Sequence, residues 1–359
     1  MLLSLPHKYL YCLSIVISAL ISIYAVRKII FITRKRKIFD IPDNIRKIHG
    51  EQIPSLGGIG VFIGYMATVP FFVTSGFNGL NFIIISSVIL FFTGVYDDIM
   101  NMRPSKKLIA QLLATAVTVY FADIRISSLY GLLGINELPF WLSIGLTTFL
   151  GTFFINVFNF IDGIDGLAGM LCMLYTLIFG IHFASQGLIT EACVALSLLG
   201  ATLGLLWFNY APAKIYMGDT GSMLIGFSVF ILSLLFIRST GKIFLPEMGN
   251  ISAGKIAIET VMAILFLPVF DALRVFALRL SKGISPLQAD RRHLHYYLLD
   301  AGLSHAATAW LLVGVNIITI VVAFGCIAAK MPVVVFFLCI ALPSVIASVV
   351  ASRLRKAKA

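Results

Sequence analysis

At 359 residues the chain is 59% apolar and only 12% charged, with a formal net charge of +11 at pH 7. With a mean hydropathy of +0.99, this composition excludes a soluble domain or a disordered chain and predicts an all-α, polytopic membrane protein, since continuous apolar runs suit helices whereas barrel strands would alternate. The positive balance is read as membrane topology plus contact with anionic lipid, with no nucleic acid partner.

About eleven spans follow in chain order, near 10–31, 53–74, 80–97, 107–122, 139–158, 166–185, 189–210, 221–238, 256–279, 305–329 and 332–352. The first is longer than the apolar core of a cleaved signal, and its basic cluster Arg34-Lys35-Arg36-Lys37 follows it. Basic residues are retained in the cytoplasm, so the N-terminus is expected outside and the C-terminus in the cytoplasm. Eighteen of the 27 lysines and arginines then fall on the inner face and six outside. Cys12, Cys172, Cys193, Cys326 and Cys339 all lie in apolar spans without paired spacing, as small packing residues do. No linker or repeat divides the chain, and residues 1–359 are expected to form a single membrane-embedded domain.

Five polar islands interrupt the spans, all on the inner face. In the first, Asp40–Gly60, Arg46, Lys47 and His49 either grip phosphate or touch lipid headgroups, and Gly57-Gly58 admits close approach of a ligand or a neighbouring helix. The second, Tyr96-Asp97-Asp98, ends the third span and is followed by Arg103, Lys106 and Lys107. Two adjacent acids at a helix C-terminus repel each other and oppose the macrodipole, which favours a cation between them over surface decoration.

The third island, NVFNFIDGIDGLAG at Asn156–Gly169, spaces Asn156, Asn159, Asp162 and Asp165 at intervals of three. If the helix continues, these make a one-sided ladder of oxygen ligands suited to Mg²⁺ or Mn²⁺; Gly163 and Gly166 argue that it loosens instead. In the fourth, Met217–Ser222, Asp219, Thr220 and Ser222 either cap the next span or hold a metal and phosphate at its N-terminus. The fifth, Ile284–Ser304, packs Asp290, Arg291, Arg292, His293 and His295 together. Phosphate binding fits that set better than zinc, for which no third ligand stands at the usual spacing.

Carboxylates for a metal and cations for phosphate, beside lipid and without a GxxxxGK[ST] loop, equip a chain for phosphoryl transfer between a soluble nucleotide and a membrane acceptor. An ion-coupled transporter is the rival class, but it places acids at mid-span in repeated halves. In order, RKIH…PSLGGI, DD, NVFNFIDGIDGLAG, MGDTGS and DRRHLH resemble the motifs of the polyprenyl-phosphate N-acetylhexosamine-1-phosphate transferase family, and within it the GlcNAc-1-phosphate group, over roughly Asp40 to Ser304.

The resemblance implies a UDP-sugar donor, undecaprenyl phosphate as acceptor, release of UMP, a bacterial inner-membrane location with the site facing the cytoplasm, and compatibility with a homodimer. By the same resemblance Asp219 is the metal-binding acid and Asn159 an amide sharing the metal, Mg²⁺ or in its place Mn²⁺. Asp97 matches the acid taken as general base, with Asp98 beside it. Asp162 and Asp165 match the nucleotide pocket, and His293 and His295 the histidine motif near the diphosphate. Where many relatives have His-x-His-His, this chain reads His293-Leu294-His295-Tyr296, which argues against a cell-wall precursor as donor.

Overall fold

A computed structural model describes residues 6–36, 53–72, 79–240, 253–285 and 290–358. Arg46, Lys47 and His49 lie outside the described residues. Within them the chain is all-helical, with one isolated bridge between Ser128 and Glu137 and no strand. The helices are α1 (His7–Arg36), α2 (Gly57–Thr68), α3 (Leu80–Met100), α4 (Pro104–Phe121), α5 (Phe140–Ile161), α6 (Leu167–Ser185) and α7 (Ile189–Asn209). They continue with α8 (Gly218–Thr240), α9 (Ala253–Ile264), α10 (Phe266–Leu280), α11 (Leu294–Asp300), α12 (His305–Ala328) and α13 (Val333–Lys358).

Two compact units emerge: one from the described residues of Met1–Ser127 and Leu138–Phe236, the other from those of Ser128–Glu137 and Ile237–Ala359. In the first unit α1 packs on α2 and α7 through small and hydroxyl residues. Ser18 Oγ donates to the Ser197 carbonyl at 2.7 Å and Ser22 Oγ to that of Ala201 at 2.8 Å. Without a hydrophobic drive between helices in lipid, such close backbone approach and hydroxyl bonding hold neighbours together. Leu20, Tyr24 and Phe31 on α1 stay exposed, as a lipid-facing side requires. Helix α8 is the axis of this unit, with 94% of its apolar window buried.

In the second unit α9 and α10 form one apolar stretch bent by 64°. The cause is local. Pro268 has no N–H to give the Ile264 carbonyl four residues earlier. The buried Asn316 of α12 repairs the gap: its Nδ2 donates to that carbonyl at 3.0 Å and its Oδ1 accepts from Leu267 N–H at 3.3 Å. A break at membrane depth persists only where a neighbour satisfies the freed groups. Ile256 and Ala263 then close a small core with Ala323, Cys326, Ile327, Phe336 and Ile340.

Each of the eleven expected spans contains helix, but among the described residues eight helices are long and apolar enough to cross a bilayer, or nine with the α9–α10 pair counted as one. The two others differ for identifiable reasons. The 12-residue α2 gives way to a tight 3-10 turn, Val69–Phe71, at Pro70. The 18-residue α4 spends its length on Lys106, Lys107 and Gln111 as well as apolar side chains. All five cysteines are free; Cys172, Cys193 and Cys326 are buried as expected, Cys339 is half-buried, and Cys12 is exposed.

Candidate active site

The second, third and fourth islands meet in the first unit, at the ends of α3, α4, α5 and α8. Helix α3 stops at Asn101, whose left-handed backbone reverses the chain, and Pro104 starts α4. Asp97 braces this turn, its Oδ1 accepting from Met102 N–H at 2.6 Å. Lys107, in the first turn of α4, reaches back and bridges two acids, its Nζ 2.9 Å from Asp97 Oδ2 and 2.7 Å from Asp219 Oδ1. These three side chains are 15% (Lys107), 10% (Asp97) and 26% (Asp219) exposed, so the ion pairs are substantially shielded from water.

Asp98 turns the other way. Its Oδ1 accepts from Asp219 N–H at 2.7 Å, and its Oδ2 from Thr220 N–H at 3.0 Å and Thr220 Oγ1 at 2.6 Å. The acid therefore caps the N-terminus of α8 from another helix, satisfying two amides that have no partner within α8 and meeting the positive end of its dipole. The expected repulsion within the acid pair is relieved because the two carboxylates have separate partners. The glycines make this geometry reachable: a Cβ on Gly94 would strike the Thr220 backbone, and one on Gly58 that of Gly221. Gly57 and Gly58 also donate to the Tyr216 and Met217 carbonyls at 2.9 and 2.8 Å. Of the two approaches foreseen for Gly57-Gly58, the structure shows the neighbouring helix.

The three-residue ladder does not run on one helix. Helix α5 ends at Ile161, Asp162 caps it, and Gly166, at φ +76°, opens α6. Asn156 Nδ2 donates to Gln111 Oε1 at 2.7 Å, and Gln111 Nε2 to Met223 Sδ at 3.3 Å, tying α4, α5 and α8 together. Asn159 Nδ2 donates to Asp219 Oδ1 and, at 3.0 Å, to Ser222 Oγ; to serve a metal, the amide would have to turn its oxygen inward. Asp165 Oδ2 accepts from Ala213 N–H at 3.1 Å, which shapes the loop before α8. The Asp162 backbone N–H donates to the Phe158 carbonyl at 3.3 Å, and burial, then the negative Asp219, Asp98 and Asp165, raise its side-chain pKa well above the usual carboxylate range.

Asp97 and Asp219 thus share a single bridging ammonium, with Asp98 bound to the Asp219 backbone and Asp162 electrostatically linked to Asp219, which concentrates hard oxygen around that acid. Among the described residues no three acid or imidazole side chains converge on one point. That arrangement fits Mg²⁺, which binds through one or two carboxylates and completes its shell with water and substrate phosphate.

The fifth island folds in the second unit around an acid that the sequence reading passed over. Asp271, fully buried in α10, accepts from Arg274 Nη2 at 2.8 Å and Leu294 N–H at 3.1 Å, and pairs with His293 Nδ1 at 3.0 Å. Arg274 Nη2 also holds the Arg292 carbonyl at 2.6 Å. An acid and an arginine three residues apart inside an apolar run were the available signal, because ionisable groups at that depth are rare. Asp290 takes Arg279 through both oxygens, at 3.1 and 3.0 Å. Burial raises the Asp290 pKa, but Arg279 and Arg292 outweigh it and bring it below the usual range.

Arg292 Nε lies 3.3 Å from Asp290, and Arg291 is 3.1 Å from Asp300 and stands over the Tyr296 ring. His295 stacks on His293 with ring centroids 5.6 Å apart, and burial first, then the electrostatic influence of its neighbours, depress its pKa to about 3. His295 is therefore an uncharged core ring, and Arg291 and Arg292 already have acidic partners. Of the cations expected to grip phosphate, Arg291 and Arg292 stand in these ion pairs, with Arg292 Nη1 left without a hydrogen-bond partner among the described residues.

Comparison with known proteins follows the same residues. Glycosyl transferase family 4 matches residues 80–237, which include every member of the first unit's cluster from Asp97 to Asp219. Over 301 residues the chain is 31% identical to the probable undecaprenyl-phosphate N-acetylglucosaminyl 1-phosphate transferase of Bacillus subtilis, covering 81% of this chain and 79% of that one. It is 32% identical over 281 residues to the decaprenyl-phosphate N-acetylglucosaminephosphotransferase of Mycolicibacterium smegmatis, with 72% and 68% covered. It is 31% identical over 303 residues to the undecaprenyl-phosphate alpha-N-acetylglucosaminyl 1-phosphate transferase of Salmonella typhi, with 80% and 77% covered.

Proposed function

The chain belongs to glycosyl transferase family 4 and is a sugar-phosphate transferase, and on that premise we propose that it moves N-acetylglucosamine 1-phosphate from UDP-N-acetylglucosamine to undecaprenyl phosphate, with UMP leaving. The observation that carries this reading is the position of the cluster. Asp97 ends α3, Lys107 and Asp219 begin α4 and α8, and Asn159 lies near the end of α5. Helix ends are where a phosphate in the headgroup layer and a nucleotide from water can meet.

The acceptor phosphate oxygen attacks the sugar-bearing phosphorus, and the bond from that phosphorus to the UMP oxygen breaks. The anomeric C–O bond is untouched, so its configuration is retained. A phosphate monoester has its second pKa near ~6 and is mostly a dianion at neutral pH, which leaves little proton removal for a base. Asp97 also has both oxygens engaged, one by Met102 and one by Lys107. It acts as a positioning residue that holds Lys107 and the α3–α4 turn, and the Lys107 ammonium meets phosphate.

Asp219, Asp162 and the Asn159 oxygen would hold Mg²⁺ or Mn²⁺; when bound, the metal neutralises the diphosphate and the charge growing on departing UMP. Asp98, Asp165 and Asn156 set the backbone and helix ends that aim these groups. Concentration of basic residues on one face, together with bacterial relatives, supports a multi-pass protein of the cytoplasmic membrane with this site on the cytoplasmic side.

Purified protein with Mg²⁺, undecaprenyl phosphate and a panel of UDP-sugars tests the reading. UDP-N-acetylglucosamine should yield UMP and a lipid-linked diphosphate, and UDP-MurNAc-pentapeptide should not. Turnover of the pentapeptide donor alone would overturn the donor assignment; no UMP from any donor would overturn the reaction.

A further inference from the structure

We propose that Lys107 is a tethered counter-cation: its ammonium shares the carboxylates of Asp97 and Asp219, gives up Asp219 when a divalent cation binds, and moves onto the donor phosphate. The inference deepens the metal reading of Asp219 and rests on it. Lys107 Nζ touches one oxygen of each acid, at 2.9 and 2.7 Å, and the Asn159 amide bonds the same Asp219 oxygen. That oxygen cannot serve an ammonium and a divalent cation together, since two cations on one ligand atom repel strongly in a shielded site.

Removal of the ammonium without replacement would leave an uncompensated cluster of acids. Asp98 cannot take up the slack because both its oxygens are committed to α8. Lysine suits an exchangeable role better than arginine, being a compact charge on a flexible stem and lacking the rigid fork that fixes a bidentate pair. Lys107 stands in the first turn of α4, so a change of side-chain rotamer moves its charge without moving the helix.

Two effects of opposite sign follow. The ammonium competes with the metal when no nucleotide is present, and it binds phosphate once displaced, so metal and nucleotide strengthen each other's binding by the same factor.

Mn²⁺ titration of the purified full-length protein, followed by the electron paramagnetic resonance signal of the free ion with and without UMP, reads both effects. Lys107→Met should bind Mn²⁺ about tenfold or more tightly without nucleotide, and the tightening that UMP produces in the wild type should shrink severalfold. Lys107→Gln should behave in the same way, whereas Lys107→Arg, which keeps a cation and holds carboxylates more rigidly, should bind Mn²⁺ no more tightly than the wild type. Asp219→Asn should lose Mn²⁺ binding under both conditions.

Equal Mn²⁺ binding by wild type and Asp219→Asn would defeat the metal reading itself. If Asp219→Asn fails to bind while Lys107→Met and Lys107→Gln bind no more tightly than the wild type, the metal reading stands and the counter-cation is refuted. A check on the unaltered protein guards against misfolded variants: reductive dimethylation of Lys107, followed by mass spectrometry, should rise on addition of Mn²⁺ and fall again with UMP. Constant reactivity would also overturn the proposal.

Discussion

Asp97 and Asp98 are neighbours with different tasks, because successive helical side chains point about 100° apart. Spacing alone marks the pair as chemically important, but it does not reveal that the amides of Asp219 and Thr220 need an acceptor, since that need belongs to a helix more than a hundred residues away. Asp98→Asn should therefore act on stability, costing about 1–2 kcal/mol as a lost charged cap, visible as a lower unfolding temperature in detergent. Asp97→Asn should act on turnover and keep a small residual rate that does not rise steeply with pH. A residual rate climbing tenfold per pH unit above about 7, one pH unit being one decade of base, would restore Asp97 as a general base.

His295 supplies the pH dependence. Its ordinary pKa is 6.5 and burial holds it at about 3, so the unfolded chain binds a proton that the folded chain refuses. Stability from this ring is complete well above pH 6.5 and is lost as pH falls toward 3, by about 2 kcal/mol at pH 5. Thermal unfolding between pH 7.5 and 5 should show that loss in the wild type and a flatter slope in His295→Phe. The sequence marks His295 as chemically capable; only packing shows that it is kept neutral.

At the scale of elements, hydropathy places nearly every helix, because lipid makes burial and apolarity almost the same quantity. What it misses is breakage and brevity. The run 256–279 reads as one span, although Pro268 sits inside it and the structure bends there by 64°. The seven-residue α11 is too short to carry a periodic signal and is held instead by Asp271 and the Arg291–Asp300 pair. Asn316 is the residue that makes the break tolerable.

Asn316→Leu, near in volume but without polar atoms, should strand the Ile264 carbonyl and the Leu267 N–H. At about 1–3 kcal/mol for a buried group left without its partner, it should destabilise the protein by at least ~1 kcal/mol. Pro268→Ala restores an N–H four residues after Ile264, so the double variant should lose less than the sum of the single ones. Strict additivity in a double-mutant cycle of unfolding temperatures would show that Asn316 does not act through this gap.

For the whole molecule, the distribution of charge and the lengths of the helices make separate statements about orientation. The 19 residues of α6 and the 21 of α7 extend for about 28 and 32 Å at 1.5 Å per residue, each close to the thickness of a hydrocarbon core. Their far ends return together, since Asp165 before α6 accepts from Ala213 after α7. The acids and the 212–214 loop must then share one face, and Gln186, at the turn between the helices, must lie on the other. Counting basic residues predicts that the acid-bearing face is the cytoplasmic one.

Single cysteines test this directly, in a Cys12→Ser background because Cys12 is exposed. Ala213 is buried and unsuited to labelling, whereas Ser105, Lys214, Ser285 and Gln186 are exposed. Cysteines at Ser105, Lys214 and Ser285 should react with an impermeant reagent only after the cytoplasmic side is opened, and one at Gln186 should react in intact cells. Reaction of the Lys214 and Gln186 positions from the same side would mean that α6 and α7 do not cross as a pair. Reaction of both with the sides exchanged would keep the fold and invert the protein, and would place the Asp97–Lys107–Asp219 cluster away from any cytoplasmic nucleotide.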